Sequence, residues 1–308
     1  MVTSAGTLEL TNVDAKNAVN SKTGGAVYLT AGKLSVSGCS FTGNSAKTGG
    51  AIDTKTKVGI QMTVADSTFS ANTATTNGGA INLMDTNTMT ATNTAFTGNK
   101  TTKSAANKGG AAVYVANTSA SFDGCTFTEN TVAGNTDSVG GALCFYAVSA
   151  SQTAITVSGS TFTGNTAPNG GAIGLSDSGS FRSGRAIVNW TDCTFTGNSA
   201  AGKGGAIAIP YSCENAMHCV VTLSGCTYSG NTAAQEPDFY SADKLNITVD
   251  GKVLDPSTTT GNPNYVAYTD VSVVPNVTDS AGKALPDLAG MAVVGDYAYS
   301  VKLKTAAK

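Results

Sequence analysis

A repeat of 25 to 35 residues dominates this sequence and limits what the chain can fold into. In each copy, a Phe or Tyr is followed three residues later by Asn, and a Gly-Gly-Ala step comes further on. The aromatic–Asn pairs are Phe41–Asn44, Phe69–Asn72, Phe96–Asn99, Phe127–Asn130, Phe162–Asn165, Phe195–Asn198 and Tyr228–Asn231. The Gly-Gly-Ala steps begin at Gly24, Gly49, Gly78, Gly109, Gly140, Gly170 and Gly204. Strict alternation of two motifs at this period is typical of a repeat protein built from one structural unit.

Within each copy, apolar residues alternate with polar ones, which is the period of a β-strand rather than of a helix. The pairs Leu34/Val36 and Ile155/Val157 show this alternation. Gly and Asn separate the short apolar runs, and both tolerate the left-handed backbone that turns require. We therefore expect an all-β chain folded as a right-handed parallel β-helix. This solenoid should have about eight coils, two or three strands per coil, and a C-terminal β cap.

Equivalent residues of successive coils stack at about 4.8 Å in such a solenoid, so each motif position forms a column. We predict that the aromatic column points into the core, with each ring stacked on the next. The Asn column is expected at a corner, where the amides bind backbone groups of neighbouring coils as a ladder. The residues that represent these structural ladders are Phe41, Asn44, Phe127, Asn130, Phe162, Asn165, Phe195 and Asn198.

The paired FTGN and GGAI motifs carry a resemblance to a known family. Four copies read CSFTGNSAKTGGAI (39–52), CTFTENTVAGNTDSVGGAL (125–143), STFTGNTAPNGGAI (160–173) and CTFTGNSAAGKGGAI (193–207). Over about residues 10–240, the chain resembles polymorphic outer membrane proteins and, more broadly, adhesin-like β-helix repeat proteins of microbial cell surfaces. The resemblance implies an extracellular, surface-displayed protein. The expected function is that of an adhesin or interaction scaffold, which binds a host or microbial surface glycoprotein or glycan.

Composition argues against two other classes of protein. The chain has 18 Lys and Arg against 20 Asp and Glu, a net charge of −2, so it lacks the basic excess that nucleic-acid binding needs. No run approaches the ~18 apolar residues of a transmembrane helix. Residues 1–20 lack the basic and apolar regions of a signal peptide, and we expect a fragment of a longer exported protein.

Binding by repeat proteins often resides on insertions between repeats. From each Gly-Gly-Ala step to the next aromatic, the last three spans are 22, 25 and 24 residues, against 17 to 20 earlier. These connections, near 144–155, 174–188 and 208–220, are expected to lie side by side because the coils stack in register. They contain residue types that interfaces favour, although ordinary loop residues are the alternative. The candidate binding residues are Tyr146, Phe181, Arg182, Arg185, Tyr211 and His218.

The seven cysteines fall into different environments. Four stand two residues before a ladder aromatic, where we expect buried thiols that act as small apolar side chains: Cys39, Cys125, Cys193 and Cys226. A disulfide between the last two, on neighbouring coils, is compatible with this arrangement but not required. Cys213 and Cys219 flank the sequence CENAMHC and are predicted to form a local disulfide. A zinc site that uses His218 is the alternative.

Two alternative functions remain open at the sequence level. Ser or Thr flanks almost every ladder aromatic, and this two-column array resembles the ice-binding faces of some β-solenoids, although the strand propensity of Thr also explains it. Polysaccharide lyases and glycoside hydrolases of the pectin-lyase-like fold are the second alternative. Glycosidases need paired carboxylates, and the oxygens of a Ca²⁺ site must converge. The acidic residues are scattered instead, so we expect no enzyme, cofactor or metal: Asp53, Asp66, Asp85, Asp123, Asp177 and Asp192.

Both repeat motifs stop near residue 240, and five of the seven prolines lie between 237 and 286. We therefore divide the chain into a repeat domain, 1–240, and a C-terminal region, 241–308. Residues 245–254 predict a hairpin that turns at Asp250-Gly251. The C-terminal region is expected to be a cap over the last coil or the start of a following β domain.

Overall fold

The computed structural model describes residues 6–56, 59–85, 87–146, 152–176, 185–210 and 219–241, together with four short strands beyond them. Every regular element in this part of the chain is a β-strand. Four sheets run along the molecule, and the chain passes through sheets 1, 2, 3 and 4 in turn before it returns to sheet 1. This arrangement confirms an all-β parallel solenoid.

Sheet 1 contains β1 (Thr7–Thr11), β4 (Lys33–Ser37), β8 (Gln61–Ala65), β12 (Thr88–Thr92), β16 (Ala120–Asp123), β20 (Gln152–Ser158), β24 (Arg185–Thr191) and β28 (Cys219–Ser224), followed by β31 (Asn246–Val249) and β32 (Lys252–Leu254). Sheet 2 contains β2 (Asp14–Lys16), β5 (Ser40–Thr42), β9 (Thr68–Ser70), β13 (Ala95–Thr97), β17 (Thr126–Thr128), β21 (Thr161–Thr163), β25 (Thr194–Thr196) and β29 (Thr227–Ser229).

Sheet 3 contains β6 (Ser45–Thr48), β10 (Thr73–Asn77), β14 (Lys100–Ser104), β18 (Thr131–Gly134), β22 (Thr166–Ala167) and β26 (Ser199–Ala200). Sheet 4 contains β3 (Val27–Leu29), β7 (Ile52–Thr54), β11 (Ile81–Met84), β15 (Val113–Ala116), β19 (Leu143–Tyr146), β23 (Ile173–Ser176), β27 (Ile207–Ile209) and β30 (Phe239–Ser241). A separate antiparallel pair joins β33 (Val266–Tyr268) and β34 (Met291–Val293).

Sheets 2 and 4 each hold eight strands, so the described part has eight stacked coils. Going from the first coil to the last takes seven full turns of the solenoid. A typical coil has four short strands rather than the two or three that the sequence indicated. The reason is a left-handed residue between consecutive strands: Gly38 (φ 62°) separates β4 from β5, and Gly43 (φ 66°) separates β5 from β6. These bends separate short strands whose apolar residues face the same core.

The core of the solenoid is a continuous stack of aromatic rings. The ladder aromatics from Phe41 to Tyr228 are almost fully buried, and successive ring centroids are 4.7 to 5.1 Å apart in near-parallel planes. Apolar side chains of sheets 1 and 4 complete this core. The ring spacing also measures the rise from one coil to the next, which agrees with the separation of hydrogen-bonded strands.

The Asn ladder joins the coils at the corner between sheets 2 and 3. From Asn44 to Asn198, the backbone N and the Nδ2 of each Asn donate to the Oδ1 of the Asn in the next coil, at 2.9 to 3.0 Å. From Asn72 to Asn198, the same Nδ2 also donates to the carbonyl of the aromatic in the preceding coil, for example from Asn198 to Phe162 O at 2.9 Å. Asn44 Nδ2 donates instead to Ala15 O at 3.0 Å. At the last coil, Asn231 Nδ2 donates to Asp238 Oδ1 at 3.0 Å.

The predicted hairpin follows the last coil and extends sheet 1. β31 pairs in parallel with β28, and β32 then pairs antiparallel with β31, with Val249 opposite Lys252. This pairing confirms the hairpin, whereas the predicted turn residues 250 and 251 lie outside the described residues. Sheet 1 therefore continues beyond residue 240, whereas the choice between a cap and a following domain stays open.

Candidate interaction surfaces

Three long connections leave the same corner of the solenoid, between sheet 4 and sheet 1. They follow β19, β23 and β27, whose first residues Leu143, Ile173 and Ile207 pair in register. They precede β20, β24 and β28, which also pair in register. The strands that flank the three connections are therefore stacked. We call the segments 147–151, 177–184 and 211–218, with their flanking strand ends, the long corner.

The strands place some of the predicted binding residues at the long corner. Tyr146 ends β19, and Arg185 begins β24 opposite Gln152. Cys219 begins β28 opposite Ala186. The other predicted residues of this surface lie outside the described residues: Phe181, Arg182, Tyr211, Cys213 and His218. Their binding role, the Cys213–Cys219 disulfide and the zinc alternative therefore stay predictions.

The connections are shorter than the spans near 144–155, 174–188 and 208–220 that the sequence indicated. For example, β19 continues through Tyr146 before the first connection, and β20 begins at Gln152 after it. Phe145, inside the first of those spans, is a strand residue with 1% exposure whose ring packs in the core. An apolar residue near a long insertion thus serves the fold rather than the surface.

Tyr146 lies between the solenoid wall and the long corner, and its side chain is half-buried. Its ring centroid is 6.2 Å from that of Tyr114, and Lys108 Nζ lies 5.9 Å from it. The carbonyl of Tyr146 accepts a hydrogen bond from Asn117 N at 2.8 Å. A cation beside a partly exposed aromatic ring is a contact that a ligand can share or replace. These contacts hold Tyr146 at the edge of the long corner, and its binding role stays a prediction.

A second apolar cluster, which the sequence analysis did not predict, lies outside sheet 4 beside Tyr146. It contains Tyr114, Ala116, Val139 and Cys144, all buried. Cys144 lies on the outer side of sheet 4, and Val139, which belongs to a connection between sheets 3 and 4, packs over it. Burial raises the pKa of Cys144 to about 12 and that of Tyr114 well above its usual value. The signal in the sequence was the span of 13 residues from Phe96 to Gly109 and again from Phe127 to Gly140, against eight or nine elsewhere.

Sheet 2 presents a regular hydroxyl surface, which we call the hydroxyl face. Its outward positions pair in register through all eight strands without a bulge. Asp14 and Lys16 form an ion pair in the first coil, and the following seven coils carry no charge at these positions. In those coils the two columns are Ser40, Thr68, Ala95, Thr126, Thr161, Thr194 and Thr227, and Thr42, Ser70, Thr97, Thr128, Thr163, Thr196 and Ser229.

The scattered acidic residues do not form a common site in the described part of the chain. Asp53, which alternation places outside the core, is only 2% exposed. Its carboxylate accepts hydrogen bonds from Thr48 Oγ1 at 2.5 Å, Thr54 N at 2.7 Å and Asn82 Nδ2 at 2.7 Å. Burial raises the pKa of this carboxyl above its usual value, against the lowering effect of those bonds. No cluster of three or more His, Cys, Asp and Glu side chains suited to a metal ion occurs among the described residues.

Stacked coils with internal aromatic and Asn ladders, a flat polar sheet and insertions at one corner define a parallel β-helix repeat protein. Residues 1–200 match the family described as right handed beta helix region, and the chain belongs to that family. Residues 192–210 are similar to the Chlamydia polymorphic membrane protein repeat, which is consistent with a surface protein of that type. Neither the curated proteins nor the solved structures include a significant match. Within the described residues, no helix is long and apolar enough to cross a membrane.

Proposed function

We propose that this β-helix is a surface-displayed adhesin or interaction scaffold that binds a host or microbial surface glycoprotein or glycan. The long corner is the binding surface in this proposal. The observation that carries it is the register of the strands that flank the three connections. Because coils are about 5 Å apart, the strands that flank the three insertions bring their ends side by side, which favours one composite surface over three separate sites.

The residue types at the long corner support this proposal. The chain has only two Arg: Arg182 lies in the sequence between β23 and β24, and Arg185 is the first residue of β24. Arg binds carboxylates through paired hydrogen bonds, and Arg and Tyr are enriched among the residues that dominate binding energy. With Tyr146 and Tyr211, the corner combines cationic and aromatic side chains on a chain with only 12% charged residues. Acidic glycans and acidic glycoproteins fit this chemistry.

The experiment is a glycan and surface-protein array, followed by affinity measurements on each bound partner. We compare the wild type with the triple variant Arg182→Ala, Arg185→Ala and Tyr211→Ala. The triple variant is expected to lose at least about tenfold in affinity, with an unchanged melting temperature because none of these residues belongs to the core columns. The matched control is Thr126→Ala, Thr163→Ala and Thr196→Ala on the hydroxyl face, which should bind normally. Binding that survives the first variant and fails in the control would contradict the proposal.

The hydroxyl face favours ice binding as a second candidate function. The insertions lie at other corners, so the sheet 2 register is unbroken through eight strands and successive rows repeat at the coil rise. A flat, uncharged array of hydroxyls at fixed spacing can order a layer of water. Thermal hysteresis measures this activity directly. The changes Thr163→Tyr and Thr196→Tyr keep strand propensity and should abolish it, whereas an inactive wild type excludes this candidate.

A further inference from the structure

The last two coils contain a pair of stacked thiols. The position two residues before each ladder aromatic is occupied, in order, by Cys39, Ser67, Thr94, Cys125, Ser160, Cys193 and Cys226. Cys39 and Cys125 are each followed in the next coil by Ser, whose Oγ accepts a hydrogen bond from the cysteine N at 3.1 and 3.0 Å. Cys193 and Cys226 are the case in which this column places two thiols on adjacent coils.

The geometry around this pair brings the two cysteines together. Thr227 N donates to Cys193 O at 2.8 Å, and the adjacent residues Thr194 and Thr227 pair in register. Two residues further on, the rings of Phe195 and Tyr228 are 5.0 Å apart, which gives the separation of the coils. A disulfide joins Cα atoms that are about 4.4 to 6.8 Å apart. The coil separation therefore lies within the range that a disulfide bridges.

Both thiols lie inside the solenoid, at 0% and 6% exposure. Each Sγ donates to the carbonyl two residues before it, from Cys193 to Thr191 O at 3.4 Å and from Cys226 to Ser224 O at 3.6 Å. The two sulfurs therefore have the same orientation on successive coils. Contact with the Cys226 thiol and burial together raise the pKa of Cys193. Because both sulfurs are buried, a small disulfide reaches them poorly once the coil has closed.

We infer that Cys193 and Cys226 form a disulfide between coils when the chain folds in an oxidising compartment. The surface location of the proposed function supplies that compartment, but the chemistry is independent of any binding partner. One thiolate attacks a low-molecular-weight disulfide such as oxidised glutathione, which releases one thiol and leaves a mixed disulfide. The second thiolate then displaces the other thiol. Two protein thiols lose two hydrogens in total, and the small disulfide is reduced to two thiols.

The bond would close a loop between Cys193 and Cys226, which are 33 positions apart in the sequence. That loop contains the third segment of the long corner, 211–218, together with β28, which leads away from it. Cross-linking a loop of this size restricts the unfolded chain. The disulfide therefore holds the two coils that carry the C-terminal part of the proposed binding surface.

The experiment refolds the full chain in a glutathione redox buffer, alkylates free thiols after unfolding, and maps non-reduced peptides by mass spectrometry. We expect peptides containing Cys193 and Cys226 to be joined, and Cys39 and Cys125 to carry the alkyl group. Reduction should lower the melting temperature by about 5–10 °C. A native protein that was folded in reductant should acquire the bond much more slowly than the refolding chain.

Three variants make the result specific. Cys226→Ser reproduces the Cys125–Ser160 arrangement that already exists in the protein, so it is expected to fold and to lose the effect of reduction on melting temperature. Cys39→Ser is the matched control and should keep that effect. The double change Cys213→Ser and Cys219→Ser removes the competing pair and should keep it too. Alkylated Cys193 and Cys226 after oxidative refolding, or either one bonded to Cys213 or Cys219, would overturn the inference. If the full chain forms the Cys193–Cys226 bond but binds no partner on the array, only the proposed function is contradicted.

Discussion

At the residue scale, each ladder asparagine satisfies polar groups of three coils at once. Asn198 Oδ1 accepts hydrogen bonds from the N and the Nδ2 of Asn165, and its own Nδ2 donates to Phe162 O and to Asn231 Oδ1. All of these groups are buried where water does not reach them. At this corner the backbone groups cannot all pair within the sheets, and water does not reach them. The side-chain amide of one Asn therefore supplies the hydrogen-bond partners that these buried groups need.

We predict that Asn198→Ala lowers the free energy of unfolding by about 1–3 kcal/mol, because Asn165 N and Phe162 O lose buried hydrogen-bond partners. Thr196→Ala, two residues away on the exposed side of the same turn, is the control and should change stability by less than about 0.5 kcal/mol. Urea denaturation of the three proteins measures both values. Equal stability of Asn198→Ala and the wild type would show that the ladder does not support the coils.

At the element scale, the strands of sheet 4 have one face in the solenoid core and part of the other face covered by neighbouring connections. Val139 packs against the outer side of β23, where a Cβ at Gly174 would lie 2.6 Å from the Val139 Cβ and 2.7 Å from Gly140 N. Glycine at this position therefore reflects a close approach rather than an unusual backbone angle. At the same outer position, the preceding coil has Cys144 and the next coil has Ala208. Of these three strands, only β23 therefore requires a glycine.

We predict that Gly174→Ala destabilises the protein by about 1–3 kcal/mol, because overpacking displaces the connection that carries Val139. The matched control is Ala208→Gly in the next coil, where removing a methyl group should have a smaller effect. The melting temperature and the rate of Cys144 alkylation measure the two consequences. Since Val139 covers Cys144, its thiol should react faster in Gly174→Ala, and an unchanged rate would contradict this packing.

At the scale of the whole molecule, motif spacing was sufficient to predict the columns of the solenoid but not everything that covers them. Alternation around Ile155 and Val157 predicts which side chains face the core, since the period of a strand is two. It cannot predict that Asp53 is buried, because Thr48 and Asn82 reach it from neighbouring turns and coils. The long corner was predictable from insertion lengths alone. Its binding residues do not repeat, so periodicity carries no information about their partner.

Both ladders also end within the described coils. The first coil has Ala15 below Phe41 and Ala18 below Asn44, so the aromatic and Asn columns both stop there. At the other end, Asp238 accepts the hydrogen bond from Asn231 Nδ2 that a further Asn would otherwise accept. Within the described coils, each ladder thus ends against a residue that differs from the repeat consensus.

The hairpin allows a test of where the stable unit ends. A chain that stops at residue 254 keeps β31 and β32, whereas a chain that stops at residue 240 leaves β28 without the partner that pairs from Val220 to Leu223. We predict that the 1–254 protein melts at the temperature of the full chain. The 1–240 protein should melt lower, by about 2–4 °C for each kcal/mol of lost pairing. It should also aggregate faster, because its exposed sheet edge can pair with another chain. Equal melting of the 1–240 and 1–254 proteins would show that the hairpin belongs to a following domain rather than to the cap of the solenoid.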